Sequence, residues 1–210
     1  KFFRIYLVIS LNVKEEKQKL REEIWNKMEK LRVALPPFPV RNRIPNFIGS
    51  DKAAEKVREL EEWKKAKVIL VNPDSPQRRI RELALLDKKI LVFASPRLKH
   101  GYLKIDSQKT EGKEKLASTI KGAFKFGEKL KELPKPDLIV TGCVAVDKDF
   151  YRLGKGCGYG DKEIKMFEEK FGKIVVVTTI HDCQLVEKVP REENDTRVDI
   201  IVTPTKIFRR

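Results

Sequence analysis

Four glycines alternate with other residues in Arg152-Leu153-Gly154-Lys155-Gly156-Cys157-Gly158-Tyr159-Gly160-Asp161, and two of the side chains between and beside them, Arg152 and Lys155, are cationic. Such a stretch can cradle an anion. Glycine tolerates positive φ and lets backbone N–H groups approach a ligand, and a helix starting just beyond would aim the positive end of its dipole at the same point. Phosphate is the natural guest. A tight structural turn is the alternative reading of the same residues.

A second cationic pair lies far upstream. Lys17 and Arg21 are four residues apart in Lys17-Gln18-Lys19-Leu20-Arg21, so on a helix they project from one face, either toward a ligand or as ordinary solvated charge. Neither Lys17 nor Arg152 falls in an apolar core pattern, so replacing either by alanine is expected to weaken phosphate binding and leave the fold intact. Cys157 reads as a small loop residue, because positive charge nearby does not by itself make a thiol a nucleophile. His181, at the carboxyl end of an apolar run, stands between a pocket-facing role and a hydrogen-bonded structural one. With two histidines and no Gly-x-Ser-x-Gly elbow, hydrolase chemistry is set aside. Three cysteines without a Cys-x-x-Cys pair argue against a structural zinc site and a disulfide framework, and point to a reduced, cytoplasmic protein.

These residues need elements to hold them. Leu20, Ile24, Met28 and Leu31 recur at helical spacing and predict an amphipathic helix over residues 14–35, ended by Pro36 and Pro37. A turn-rich segment follows, then a second helix capped by Ser50 or Asp51 and running to about residue 65. Residues 67–71 and 89–94 read as strands around a helix over 77–86, the rhythm of parallel α/β packing. Residues 95–133, interrupted by Gly101, Gly112, Gly122 and Gly127, are expected to form an excursion with a short helix near 114–120. A strongly apolar strand over 137–146 would deliver the chain to the glycine loop, at the carboxyl end of a parallel strand. A helix over 161–171 stopped by Gly172, a strand over 173–180 and a final strand over 198–203 complete the expected chain. Residues 2–13 are apolar but too few for a membrane span, and read as a buried strand or a helix extension. One domain is expected over residues 1–210, and the start at Lys1 instead of Met reads as a position inside a longer encoded chain.

The formal charge of +15, from 46 Lys and Arg against 31 Asp and Glu, favours polyanionic partners such as nucleotides, polyglutamylated cofactors or nucleic acid. The cations are spread along the chain and no nucleic-acid-binding signature accompanies them, so nucleic acid is a runner-up. A charged fraction of 37%, rich in Lys and Glu, also resembles a thermophile surface.

Taken together, the sequence resembles the 5-formyltetrahydrofolate cyclo-ligase family, the methenyltetrahydrofolate synthetases. The resemblance is carried by Asp147 with the loop 152–161, by His181-Asp182-Cys183-Gln184-Leu185-Val186 through Pro190, Glu192, Asp195, Val198-Asp199 and Ile201-Val202-Thr203, and by Lys17-x-x-Leu20-Arg21 on the first helix. It implies a three-layer α/β fold with a mostly parallel sheet and an ATP- and Mg²⁺-dependent conversion of 5-formyltetrahydrofolate, or a related pterin, to 5,10-methenyltetrahydrofolate. Catalysis would then fall to Arg152 and Lys155. Nucleotide binding would fall to Lys17, Arg21, Arg152 and the loop residues Gly154, Lys155, Gly156, Cys157, Gly158, Tyr159 and Gly160. Asp161 is the first choice for the metal and Asp147 the second, because a carboxylate beside phosphates is the usual Mg²⁺ arrangement; a helix N-cap is the other reading of Asp161.

Two departures matter. Typical members spell the loop's end Tyr-Tyr-Asp-Arg, where this chain has Tyr159-Gly160-Asp161-Lys162, and they carry a Glu-Val-Asp-Thr-like segment whose glutamate contacts the folate, where this chain has Asn72-Pro73-Asp74-Ser75-Pro76-Gln77. The spelling is closer to the divergent branch named for containing a methenyltetrahydrofolate synthetase domain. Asp74, Gln77 and Tyr159 are the expected folate contacts in their place. A non-catalytic nucleotide-binding or regulatory paralogue is the alternative function.

Overall fold

A computed structural model describes the backbone of residues 2–210 and the side chains from Asn12 onward. A long helix, α1 (Phe2–Lys30), leads to a short antiparallel pair, β1 (Ala34–Leu35) with β2 (Asn46–Phe47). Next come α2 (Ser50–Arg58), α3 (Glu61–Lys65), β3 (Val68–Val71), α4 (Arg78–Leu86) and β4 (Ile90–Ala94). The middle of the chain holds β5 (Tyr102–Asp106), α5 (Glu114–Ala117), α6 (Ile120–Phe126), β6 (Glu128–Lys129), β7 (Leu138–Thr141), β8 (Ala145–Asp147) and β9 (Arg152–Leu153). It ends with α7 (Tyr159–Phe171), β10 (Val175–Thr179), β11 (Leu185–Val186), β12 (Ile200–Val202) and β13 (Ile207–Arg209).

The expected α/β class, with a mostly parallel sheet between helical layers, is the one observed. The main sheet has eight strands in the order β13-β12-β10-β7-β3-β4-β5-β6. Its centre, β12 to β4, is parallel, and antiparallel strands close both edges. Alternation along each strand divides the core: Ile69 and Val71 pack with Trp25, Ala54 and Leu83 from α1, α2 and α4, whereas Leu70 packs with Ile164 and Phe167 from α7. Burial of each of the Ile, Val, Leu and Phe side chains among these contributes roughly 1.5–3 kcal/mol. Because β3 lies between β4 and β7, the loops leaving β3 and β7 run apart and leave a crevice at the carboxyl edge of the sheet.

Several expectations are corrected. The first helix stops at Lys30, before the prolines: Arg32 takes φ 56°, its N–H bonds Glu29 O, and Val33 N–H bonds Met28 O, a C-terminal cap built without glycine. The apolar stretch before it continues as helix from Phe2, and its side chains before Asn12 lie outside the described residues. The helix expected from residue 50 to 65 is two, because Leu60 swings to extended geometry and buries itself beside Trp63, and Gly49 precedes it in place of a Ser50 or Asp51 cap. Residues 95–133 contain a missed strand, β5, whose Leu103 and Ile105 face the core, and the short helix expected there is α5 plus α6. The strand expected over 137–146 breaks at Gly142, where a Cβ would lie 2.7 Å from Ile44 and 2.8 Å from Gln77, and the chain leaves the main sheet for the three-stranded sheet β11-β8-β9. The last strand is β13 and not β12.

Candidate active site

The glycine loop emerges from β9 and runs into α7, so a hairpin off the main sheet presents it and not a main-sheet strand directly. Gly156 and Gly158 take φ 107° and 67°, conformations that side chains disfavour, and Gly158 stands at the cap position of α7. Helix α7 therefore starts at Tyr159, and Asp161 lies inside its first turn instead of capping it. Among the described residues, none of the backbone N–H groups from residue 155 to 158 donates to a protein acceptor. They are left without a protein acceptor at the positive end of a helix.

Two clefts meet at this loop. The first, about 340 Å³, opens at the crevice between β3 and β7; Asn72, Asp74, Thr141 and Gly142 line its sheet side, and Lys155, Cys157, Tyr159, Gly160 and Glu163 line its other side. The second, about 520 Å³, lies between α1 and the loop and is lined by Lys14, Lys17, Arg21, Gly156, Lys162, Glu192 and Asp195, among others. Arg152, Gly154, Gly158 and Asp161 line both. The loop is thus a shared wall.

Arg152 is the pivot of that wall. It is 3% exposed, its Nη1 donates to Gly142 O at 2.9 Å, its Nη2 lies 3.2 Å from Asp161 Oδ2, and its Nε has no partner. Gly160 exists to admit it: a Cβ there would sit 2.0 Å from Nη2. Asp161 accepts from Thr196 N–H and hydroxyl through its other oxygen. Lys155 Nζ reaches 2.8 Å from Asp74 Oδ1, joining the loop to the segment after β3.

On the α1 side, Lys17 is 6% exposed and held between Glu192 at 2.8 Å and Asp195 at 2.7 Å. Arg21 Nε donates to Gly154 O at 2.8 Å, and burial pulls its guanidinium below the ordinary value despite nearby Asp195. Lys17 and Arg152 are therefore paired, buried cations, although neither falls in an apolar core pattern of the sequence.

Other expected residues fall elsewhere. Asp147 lines neither cleft: it is fully buried and accepts from Asp149 N–H, Tyr151 N–H, Val189 N–H and Arg191 Nη2, which makes it the anchor of the β8–β9 turn. Gln77 is also fully buried outside both clefts, its Nε2 donating to Thr179. His181 accepts from Cys183 N–H and caps a short 3-10 turn, Asp182–Gln184, the structural alternative for that residue. Burial lowers its pKa.

The sequence reading passed over three groups. Arg81 is 2% exposed on the buried stripe of α4; it donates to Ser118 O and, at 2.5 and 3.1 Å, to Asn72 O and Asp74 O, so it fixes the loop after β3. Burial pulls it down to about 9. Glu192 and Asp195, though recognised as part of a motif, were not assigned to the site that they join. Glu163 is 4% exposed and accepts from Asn72 Nδ2 at 2.6 Å. Its spacing to Phe167, one helical turn on, was the available signal that it faces inward.

The profile of the 5-formyltetrahydrofolate cyclo-ligase family matches residues 13–204, across both clefts and the loop between them. The chain belongs to this family. Like other cyclo-ligase family members it has curated relatives: the methenyltetrahydrofolate synthase domain-containing protein of Bos taurus is 40% identical over 204 residues, which cover 91% of this chain and 53% of the relative. The Danio rerio protein of the same name is 37% identical over 214 residues, covering 96% of this chain and 56% of its own. The chain thus spans about half the length of these relatives. The Escherichia coli K12 5-formyltetrahydrofolate cyclo-ligase is 40% identical over 76 residues, 36% of this chain and 41% of that one. In fold, the chain superposes on the Aquifex aeolicus 5,10-methenyltetrahydrofolate synthetase with a TM-score of 0.59 at 22% identity, covering 92% of each chain.

Proposed function

We propose that the protein is an ATP-dependent cyclo-ligase that closes 5-formyltetrahydrofolate, or a related formyl-pterin, to 5,10-methenyltetrahydrofolate. The observation that carries this reading is the glycine loop as a wall common to two clefts. ATP lies on the α1 side with its phosphates toward Lys17, Arg21 and the unpaired N–H groups of the loop, and the formyl-pterin lies on the sheet side. The γ-phosphoryl group then meets the formyl oxygen at Arg152. The formyl oxygen attacks phosphorus and ADP leaves; the neighbouring amine adds to the formyl carbon and gives up its proton; phosphate departs carrying the former formyl oxygen. The protein supplies positioning and fixed positive charge, in which Arg152 and Lys155 have the leading parts.

The donor set fits Mg²⁺ as a partner of the nucleotide. That ion takes one or two carboxylates along with phosphate oxygens, Asp161 is the carboxylate lining both clefts, and Asp195 lines the second with it. Among the described residues no group of three or more His, Cys, Asp and Glu forms a cage of its own. When bound, Mg²⁺ neutralises charge on the phosphoryl group. A cytoplasmic location belongs to the same reading, supported by three free cysteines; no helix among the described residues is long and apolar enough to cross a membrane.

Nucleotide binding without turnover is the second reading, favoured by the Lys155–Asp74 pair, which ties a loop cation to the sheet side of the first cleft. Purified protein with ATP, Mg²⁺ and 5-formyltetrahydrofolate separates the two. Growth of the methenyl absorbance supports the enzyme; tight ATP binding without product selects the second reading; neither product nor ATP binding overturns both.

A further inference from the structure

Beyond the phosphate chemistry, the first cleft ends on a carboxyl group to which that chemistry gives no task. Glu163 projects from α7 against the carboxyl ends of β3 and β7, lines the cleft and is 4% exposed. One of its oxygens, Oε2, accepts from Asn72 Nδ2 at 2.6 Å, and Asn72 is itself oriented by Thr141, whose hydroxyl donates to Asn72 Oδ1 at 2.6 Å. The Tyr102 hydroxyl lies close enough to act on the carboxyl, yet is buried without a partner at ordinary hydrogen-bond geometry. A desolvated carboxyl held this firmly, with one full hydrogen bond at ordinary geometry for its four lone pairs, has room for further donors. A ligand with two adjacent N–H donors compensates the burial of such a carboxyl.

We propose that Glu163 is the residue that recognises the pterin ring in the first cleft, its carboxyl group accepting from the ring N–H and the exocyclic 2-amino group of the amino-oxo-pyrimidine edge. Asn72 holds the carboxyl in register, and its remaining amide hydrogen can donate to the 4-oxo group. Tyr159, 42% exposed at the loop end of the same cleft, offers an aromatic face for the ring. This inference rests on the proposed formyl-pterin substrate. It places discrimination between ring systems on α7, the helix whose first turn carries Asp161, so that one element reads the pterin and borders the phosphates.

Equilibrium dialysis against pterin-6-carboxylate and its 2-desamino analogue tests it, with ATP affinity and a thermal melt measured alongside. The wild-type protein should prefer the amino form by roughly 10- to 100-fold, the worth of hydrogen bonds to a charged group. Glu163→Gln, nearly isosteric and still able to accept from Asn72, should lose most of that preference and keep its ATP affinity. Equal binding of the two ligands by the wild type overturns the proposal, as does an undiminished preference in a folded Glu163→Gln. Turnover of 5-formyltetrahydrofolate with an unchanged KM in Glu163→Gln removes the role of Glu163 and leaves the enzyme reading intact. Selective pterin binding that depends on Glu163, without turnover, does the reverse. No pterin binding at all overturns both.

Discussion

Replacing Gly160 by alanine asks whether Arg152 occupies the place on which the phosphate chemistry depends. Gly160 lies in the first turn of α7 without a positive φ, so in open space alanine would stabilise the helix by up to about 1 kcal/mol. The space is filled: the new Cβ would lie 2.0 Å from Arg152 Nη2 and 2.7 Å from Cζ. An ordinary contact near ~3.5 Å requires the guanidinium to withdraw by about 1.5 Å. Its bond to Gly142 O at 2.9 Å and its contact with Asp161 at 3.2 Å cannot both survive that movement. Losing one charged hydrogen bond costs about 1.5–3 kcal/mol, so after the helical gain the variant should be destabilised by roughly 0.5–2 kcal/mol. Urea unfolding measures this, and calorimetry should find ATP binding weakened by about tenfold as Arg152 is turned away from the shared wall. A variant more stable than wild type by about 1 kcal/mol, with unchanged ATP affinity, would refute the steric reasoning.

Three further outcomes are expected. Lys17→Ala should lower stability by about 1–3 kcal/mol in denaturant, because it strips Glu192 and Asp195 of their shared cation, and should weaken nucleotide binding in calorimetry. Asp147→Asn should cost about 2–3 kcal/mol by disturbing four donors, yet leave the Mg²⁺–ATP affinity of the folded protein unchanged; a selective loss of that affinity would instead make Asp147 a metal ligand. Glu163 carries a pH signature: burial raises its folded-state pKa above the ordinary 4.5, so its protonated form favours the fold at low pH and that contribution is lost as pH rises through the raised value. Glu163→Gln should therefore gain stability relative to wild type on going from pH 4 to pH 7, with Arg152, Asp74 and Tyr102 the charged or titratable neighbours that modulate the size. Parallel stability–pH curves for the two proteins would contradict this.

The parallel core was legible because β3, β4, β7 and β10 are continuous apolar runs, the mark of strands covered on both faces. The glycine loop was legible for a local reason: positive φ at Gly156 and Gly158 demands glycine whatever the surroundings. What escaped was set by tertiary contact. Gly160 has ordinary backbone geometry and is glycine only because Arg152, eight positions earlier, needs the room. Asp147 and Asp161 are equivalent as sequence symbols, and only the sheet switch at Gly142 turns the first into a turn anchor and leaves the second in the clefts. Arg81 and Glu163 are charges on apolar helix faces, which propensity reads as solvated but which long-range backbone and amide partners hold inside. Strand β5 was hidden by the glycines around it, although Leu103 and Ile105 alternate as a strand requires.

The shared-wall arrangement is tested most directly by following the oxygen. 5-Formyltetrahydrofolate labelled with ¹⁸O in the formyl group should be turned over with ATP and Mg²⁺, and the inorganic phosphate released should be analysed by mass spectrometry. Phosphoryl transfer across the loop predicts one ¹⁸O in each phosphate formed, in step with methenyl product. Phosphate carrying oxygen from bulk water, or methenyl product formed without ATP consumption, would contradict it.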